Sequence, residues 1–258
     1  MSLYIGSLNI DLFLLVFMRF TGMVLFNPIF GRSAVPAVWK VAFSLLCASV
    51  VMPVLPQTGP AIGSIPELAV ALLLELTVGL AVGVLVDFLF AVVMIAGEQM
   101  DMQMGLGMAN LYDPSSGVSQ PLMGSFFNIL LTVVFLAGDA HLSFLSLAAD
   151  SFRAIPPGTA VPTAASVKFL VSMAGDMFSL GLRMALPVIA VEFIALVSIG
   201  LLMKAVPQIN IFNVGIQLET GLGILMVMIA IPVIVGLCGK LSTFLIEKTA
   251  ELIRLMIP

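Results

Sequence analysis

The sequence predicts an all-α membrane protein built from long, broken helices and helical hairpins. Three observations lead there. Of 258 residues, 61% are hydrophobic and only 9% are charged, whereas soluble domains carry about 25% charged residues. Apolar stretches of membrane-spanning length recur: Thr220–Gly239 is uncharged, Leu68–Gly97 is interrupted only by Glu75 and Asp87, and Leu12–Phe30 carries Arg19 at its centre. Between the stretches, proline and glycine cluster into breaks. A charge at the bilayer centre costs at least ~2.5–3.5 kcal/mol on insertion scales, so the embedded acids and bases should face other protein or water. The chain therefore reads as one piece of a larger membrane assembly, with much of its surface meant for partner subunits.

The first helical segment, Asp11–Phe30, ends where Pro28 and the break Gly31–Pro36 stop it. The second, Trp39–Leu55, is too short for a simple span of about 20 residues, and Pro53–Pro66, with four prolines and two glycines, closes it. The third, Pro66–Met104, is too long for one crossing. The break Gly105–Pro121 follows it, and Pro121–Asp150 is the fourth segment. After Ile155–Pro162 comes the fifth, Ala165–Lys204, again too long for one crossing. Pro187 should kink or break it, because proline lacks an N–H and its ring clashes with the preceding turn. The sixth, Phe212–Pro258, meets the same obstacle at Pro232. Its end is amphipathic: Leu241, Phe244, Leu245, Leu252 and Leu255 form a stripe, while Lys240, Glu247, Lys248, Glu251 and Arg254 lie elsewhere, as expected of a helix at a headgroup or protein interface. No soluble domain or low-complexity tract interrupts the chain. It reads as one domain, 1–258, with an N-terminal half 1–121 and a C-terminal half 122–258.

The net charge of −4 is small, and no basic tract for nucleic acid is present. Met1–Asp11 lacks a basic region and a small-residue cleavage site, so no removable signal peptide is expected. Cys47 and Cys238 sit in apolar runs without nearby ligand partners and read as small buried hydrophobes. Basic residues fall on both sides of six alternating spans, so the positive-inside rule gives no clear topology.

The densest polar cluster is Gly97-Glu98-Gln99-Met100-Asp101-Met102-Gln103-Met104-Gly105. On a helix Glu98 and Asp101 share a face, as do Gln99 and Gln103. Four polar side chains at the end of an apolar segment need partners or water. The cluster reads as a polar contact surface at a pathway or between subunits, or else as a water-exposed helix end. The seventeen-residue loop Gly105–Pro121 follows. Loops that long are uncommon and often functional, and irregular backbone at membrane depth survives only in protein or a watery cavity. This one can fold into a pore and block it, or serve as a plain connector. Met94, Met100, Met102, Met104 and Met108 gather near it, as core filler or as a deformable seal. Arg19, Glu75, Asp87, Asp176, Arg183 and Glu192 lie inside apolar runs and suit ion pairs within or between subunits, or a proton relay. Asp176 and Arg183 share a face two turns apart without touching. Gly79-xxx-Gly83 permits close helix contact.

Enzymatic patterns are missing from the sequence. His141 is the only histidine, so no histidine-based metal site forms from this chain alone. There is no Gly-x-Ser-x-Gly turn and no P-loop. No cofactor is expected, and any nucleotide hydrolysis must come from a partner.

Several segments resemble the FliR family, the R-type subunit of the flagellar and type III secretion export gate. They are Arg19-Phe20-Thr21-Gly22, Pro28-Ile29-Phe30-Gly31 and Pro36; the polar cluster with Asp113-Pro114; Ser151-Phe152 with Ile155-Pro156; and Pro207-Gln208-Ile209-Asn210-Ile211-Phe212 with Gly215. The resemblance covers nearly the whole chain. One departure is Ile216-Gln217-Leu218-Glu219, where the family often has Pro and then Lys. The resemblance implies a helical hetero-oligomeric gate of P-type and Q-type subunits completed by one R-type subunit, with an FlhB-type switch protein docked on it. Unfolded export substrates pass through its centre. It also implies the bacterial inner membrane and the flagellar basal body, with the bulk raised toward the periplasm and lipid around the rest. The family's plug loop maps to Leu106–Tyr112 and more loosely to Gly105–Gln120, so Leu106, Met108, Leu111, Tyr112, Asp113 and Pro114 are the expected plug. Glu98, Gln99, Asp101 and Gln103 would hold its base or contact neighbours. Arg19, Asp176, Arg183 and Glu192 would pair within or between subunits, and Pro207, Gln208 and Asn210 carry the family motif. The rival readings are a proton-coupled secondary transporter using Glu75, Asp87 or Glu192, a virulence-type homologue of the same subunit, and a scaffold without pore lining.

Overall fold

Helix limits follow the turn formers. The computed structural model describes residues 4–5, 8–31, 35–55, 63–106, 121–205 and 211–257. A two-residue hairpin, Tyr4–Ile5 (β1) against Leu8–Asn9 (β2), opens the chain. Then come α1 (Ile10–Leu25), α2 (Ala37–Val51) with a 3-10 turn Met52–Val54, and α3 (Ile65–Gln103). They are followed by α4 (Leu122–Ala137), α5 (Ala140–Ala154), α6 (Ala164–Ala205) and α7 (Ile211–Leu255). Pro36 and Pro121 stand immediately before α2 and α4, where a missing N–H costs nothing. Ser64 Oγ accepts the Glu67 N–H and the Glu67 carboxylate accepts the Gly63 N–H, which closes the start of α3.

Three expectations need correction. The segment Pro121–Asp150 is not one helix: it breaks at Gly138 and Asp139, where Asp139 takes φ 54°. Aspartate tolerates that left-handed conformation better than most residues. Of the kink or break expected at Pro187 and Pro232, the break does not occur, since α6 and α7 run through both. The carbonyls they leave unbonded belong to Arg183 and Met228, both on exposed positions, where lipid-facing neighbours, water or another chain can approach. Finally, α2 with its 3-10 turn gives a mostly apolar run of 18 residues, Ala37–Val54, long enough to cross. Among the described residues, four helices are long and apolar enough to cross a membrane, or five if α4 and α5 form one broken span.

The chain packs as two units, each assembled from separated stretches: Met1–Leu89, Asp139–Ala174 and Ser242–Pro258, and Phe90–Gly138 with Gly175–Leu241. Helices α3, α6 and α7 contribute residues to both, so the units do not follow the division at 121/122. In the first unit α1 packs on α2, and α1 crosses α3 backbone to backbone. A Cβ on Gly22 would stand 2.5 Å from Leu76 O and 2.7 Å from Leu80 N, and one on Gly83 would stand 3.0 Å from Met23 O. The Gly79-xxx-Gly83 pattern is therefore used, against α1. The same unit buries Leu245 and Leu252 of the C-terminal stripe while Glu247, Glu251 and Arg254 stay exposed. Thr163 Oγ1 donates to Leu255 O at 2.8 Å. In the second unit Phe127, Leu131 and Phe135 repeat every fourth residue along α4 and are buried. Phe135 meets Phe90 of α3 edge-on at 6.2 Å. Much apolar surface stays uncovered, including Trp39, Phe193, Leu201, Met228 and Val233.

Candidate functional site

The base of the segment 107–120 is built from the polar cluster and lies in the second unit. Just past the end of α3 at Gln103 stands Gly105, whose φ of 71° is costly for any residue with a Cβ. The Leu106 N–H donates to Asp101 O at 3.1 Å and the Gly105 N–H to Met102 O at 3.4 Å. This pair of bonds is a Schellman closure of the helix end. The Asp101 side chain turns the other way. Its two carboxylate oxygens accept the Met123 N–H at 3.1 and 3.0 Å, satisfying an otherwise unpaired donor in the first turn of α4. One residue thus ties down the chain on both sides of 107–120, by its carbonyl before and its carboxylate after. Gly97 seats α4 directly: a Cβ there would strike the Gly124 backbone and stand 2.6 Å from Met123 C. Thr220 Oγ1 of α7 donates to Met104 O at 2.8 Å, covering another carbonyl at the end of α3.

Of the four cluster residues only Asp101 is buried and engaged in this closure. Glu98 and Gln103 are exposed and Gln99 is half-buried, so the shared helical face of Glu98 and Asp101 does not put both into the base. Met100 and Met104 are fully buried, whereas Met102 is exposed; two of the methionines are core. Leu106 is half-buried. Met108, Leu111, Tyr112, Asp113 and Pro114, and the motif residues Pro207, Gln208 and Asn210, lie outside the described residues.

Asp101→Ala should lower the local stability of this base by about 0.5–2 kcal/mol, the usual cost of a lost helix cap. Hydrogen exchange at the Met123 amide would accelerate accordingly. Asp101→Asn, which keeps an acceptor, should lose less. Equal protection in all three proteins would refute the capping role.

The embedded ions separate into three kinds. Arg19 and Glu75 are both fully buried and pair with each other in the first unit: Arg19 Nε donates to Glu75 Oε2 at 2.5 Å and Nη2 to Oε1 at 3.0 Å. Such a two-point fork is the strongest geometry available to a guanidinium and a carboxylate. Arg19 also donates to Ser151 Oγ at 3.2 Å and Ile155 O at 3.0 Å, and its Cζ lies 4.3 Å from the Phe152 ring centre. Glu75 Oε1 accepts the Gly158 N–H at 2.8 Å. Arg19, expected to pair within or between subunits, has its counterion within its own chain. Asp87, Asp176 and Arg183 are exposed, and none is in an ion pair among the described residues. Glu192 is 2% exposed, and its oxygens have no hydrogen-bond partner among the described residues.

Sequence reasoning named Arg19 and Glu75 among the embedded ions suited to pairing without joining them to each other, and it missed Thr220 and the contact of Gly97 with Gly124. The one legible signal was the sequence clustering: Arg19-Phe20, Ser151-Phe152 and Ile155-Pro156 converge around a single guanidinium, with Phe20 and Phe152 at 5.5 Å. Among the described residues no three His, Cys, Asp or Glu side chains come together as metal ligands. The two assemblies described above hold backbone and helices in place.

Residues 10–244 match the family of bacterial export proteins, family 1. Curated relatives cover nearly the full length. The chain is 30% identical over 247 residues to the flagellar biosynthetic protein FliR of Bacillus subtilis (strain 168), spanning 95% of each chain. It is 29% identical over 245 residues to FliR of Escherichia coli (strain K12), spanning 95% of this chain and 93% of the relative. To FliR of Aquifex aeolicus (strain VF5) it is 26% identical over 223 residues, 86% of this chain and 85% of the relative. With the match running from α1 into α7, this chain belongs to the family of bacterial export proteins, family 1.

Proposed function

We propose that this protein is a core subunit of the bacterial flagellar type III protein export gate, helping to form and close the channel through which unfolded flagellar subunits leave. It acts without catalysis, as one R-type subunit among P-type and Q-type subunits, with an FlhB-type switch protein docked on it. It sits in the inner membrane at the flagellar basal body, with its bulk raised toward the periplasm, and its two units work as one export-gate domain. The segment after Gly105 obstructs the resting pore, with Leu106, Met108, Leu111, Tyr112, Asp113 and Pro114 as the plug. Glu98, Gln99 and Gln103 contact neighbours around the base; Asp176, Arg183 and Glu192 pair within or between subunits, and Pro207, Gln208 and Asn210 carry the family motif.

The observation that carries this reading is the double closure by Asp101. A plug must be held firmly at its roots while its tip moves, and a buried carboxylate bonded to the start of α4 by residue 101, with the end of α3 sealed on its own carbonyl, supplies such roots. Deleting Met108–Gly117 leaves that base in place. The assembled complex carrying the deletion should pass small ions and solutes that the wild-type complex retains, measured as dye or ion release from reconstituted vesicles. Normal assembly with no added leak would refute the plug.

The flagellar system is favoured over a virulence system by the FliR relatives. The transporter reading loses one of its three acids, because Glu75 is held at two points by Arg19.

A further inference from the structure

The second unit contains a charge that nothing in it balances. Glu192 of α6 is buried, and neither carboxylate oxygen has a hydrogen-bond partner among the described residues. It lies against Gly223 of α7: a Cβ there would stand 2.8 Å from Glu192 Oε1 and equally close to Met104 Cε. Glu219, one turn before Gly223 and half-buried, adds repulsion. The unit as a whole holds six acids against three bases.

Those bases cannot reach it. Arg183 precedes Glu192 by nine residues on α6, about 13 Å along the axis, and Lys204 follows by twelve, about 18 Å. Lys240 lies twenty-one residues beyond Glu219 on α7, about 31 Å. Residues 107–120 and 206–210 contain no Lys or Arg. An ionised carboxylate stripped of water and partners is among the least favourable groups a protein can bury, so it takes a proton or a cation.

The location favours a cation from outside. Phe193, next to Glu192, is 63% exposed, and Ile224, next to Gly223, is 43% exposed. The faces of α6 and α7 beside Glu192 are therefore open and apolar. Its cover includes Met104, an unbranched thioether that repacks easily. A lysine or arginine on a packed partner helix can lay its apolar stem along such a face and bring its charged head inward.

We propose that Glu192, with Glu219 at its rim, receives a lysine or arginine side chain from a neighbouring subunit packed on the α6–α7 face of the second unit. The assignment rests on reading the chain as a gate subunit, since it requires a partner chain. It names the chemistry of one contact in that assembly.

The test compares wild type, Glu192→Gln and Glu192→Asp, each as the full chain purified alone and as the complex co-expressed with P-type and Q-type subunits. Glutamine removes the unbalanced charge, so the melting temperature of the lone chain should stay equal or rise. The same change strands the partner's cation, so recovery of the complex should fall at least tenfold, with Glu192→Asp recovering part of it. A Glu192→Gln complex recovered as well as wild type means a neutral acid facing lipid and overturns the proposal. A lone Glu192→Gln chain that melts lower than wild type means a structural role within the chain and overturns it as well. Wild-type chain that binds no P-type or Q-type subunit removes the gate reading itself, an outcome distinct from either.

Discussion

Glu75→Ala should destabilise the purified chain by about 3–5 kcal/mol, the cost of leaving a buried charge without its partner. Arg19 would keep Ser151 Oγ and Ile155 O as acceptors but lose both carboxylate bonds, and Gly158 N–H would lose its acceptor. The measurement is the unfolding midpoint of the full chain in mild detergent. Replacing both partners, Arg19→Met with Glu75→Leu, should recover most of the loss, because an apolar pair of similar volume carries no desolvation cost. An unchanged midpoint in Glu75→Ala would mean that the pair does not hold α1, α3 and α5 together. A proton-coupling role would leave a different mark, normal stability with lost transport, so the same variant separates the two readings.

Gly79→Ala should be nearly as damaging, although it adds one methyl group. That Cβ would run into Arg19 O and stand 2.9 Å from Gly22 Cα. Both obstacles are backbone, so relief requires moving α1 away from α3. Gly79 lies one turn from Glu75 and Gly22 nearly one turn from Arg19, so the same movement stretches the buried ion pair. The loss should exceed the ordinary overpacking cost of about 1–3 kcal/mol. Gly221→Ala is the control. Nothing lies within 4 Å of its added Cβ, and replacing a helical glycine in open space should raise stability by about 0.5–1 kcal/mol. Equal effects at 79 and 221 would contradict the close crossing of α1 and α3.

Much of the architecture was legible in advance. Helix ends at Pro36, Pro121 and Gly105 followed from residues that cannot continue a helix or that close one. The break at Gly138 and Asp139 was not, because its signal is one glycine between apolar runs and the left-handed residue is an aspartate. The breaks offered at Pro187 and Pro232 do not occur, because the carbonyls these prolines free, on Arg183 and Met228, lie at exposed positions. Within the polar cluster, helical periodicity put Glu98 and Asp101 on one face, but a difference of one turn carries Asp101 to the start of α4 and leaves Glu98 outside.

The sequence by itself determined that this protein is helical, that it belongs in a membrane, and that its helices are interrupted near Pro36, Gly105 and Pro121. In hydrocarbon every backbone N–H and C=O must be satisfied locally, so the length of an apolar run and the places where proline or glycine interrupt it settle the matter. Only the tertiary structure decided which charges answer each other. Arg19 and Glu75 are 56 residues apart and Met104 and Thr220 are 116 apart. Such pairings depend on how helices cross, and those crossings are set by where glycine lets two backbones touch. The same packing leaves Glu192 enclosed without a partner, a fact no pattern of neighbouring residues along the chain contains.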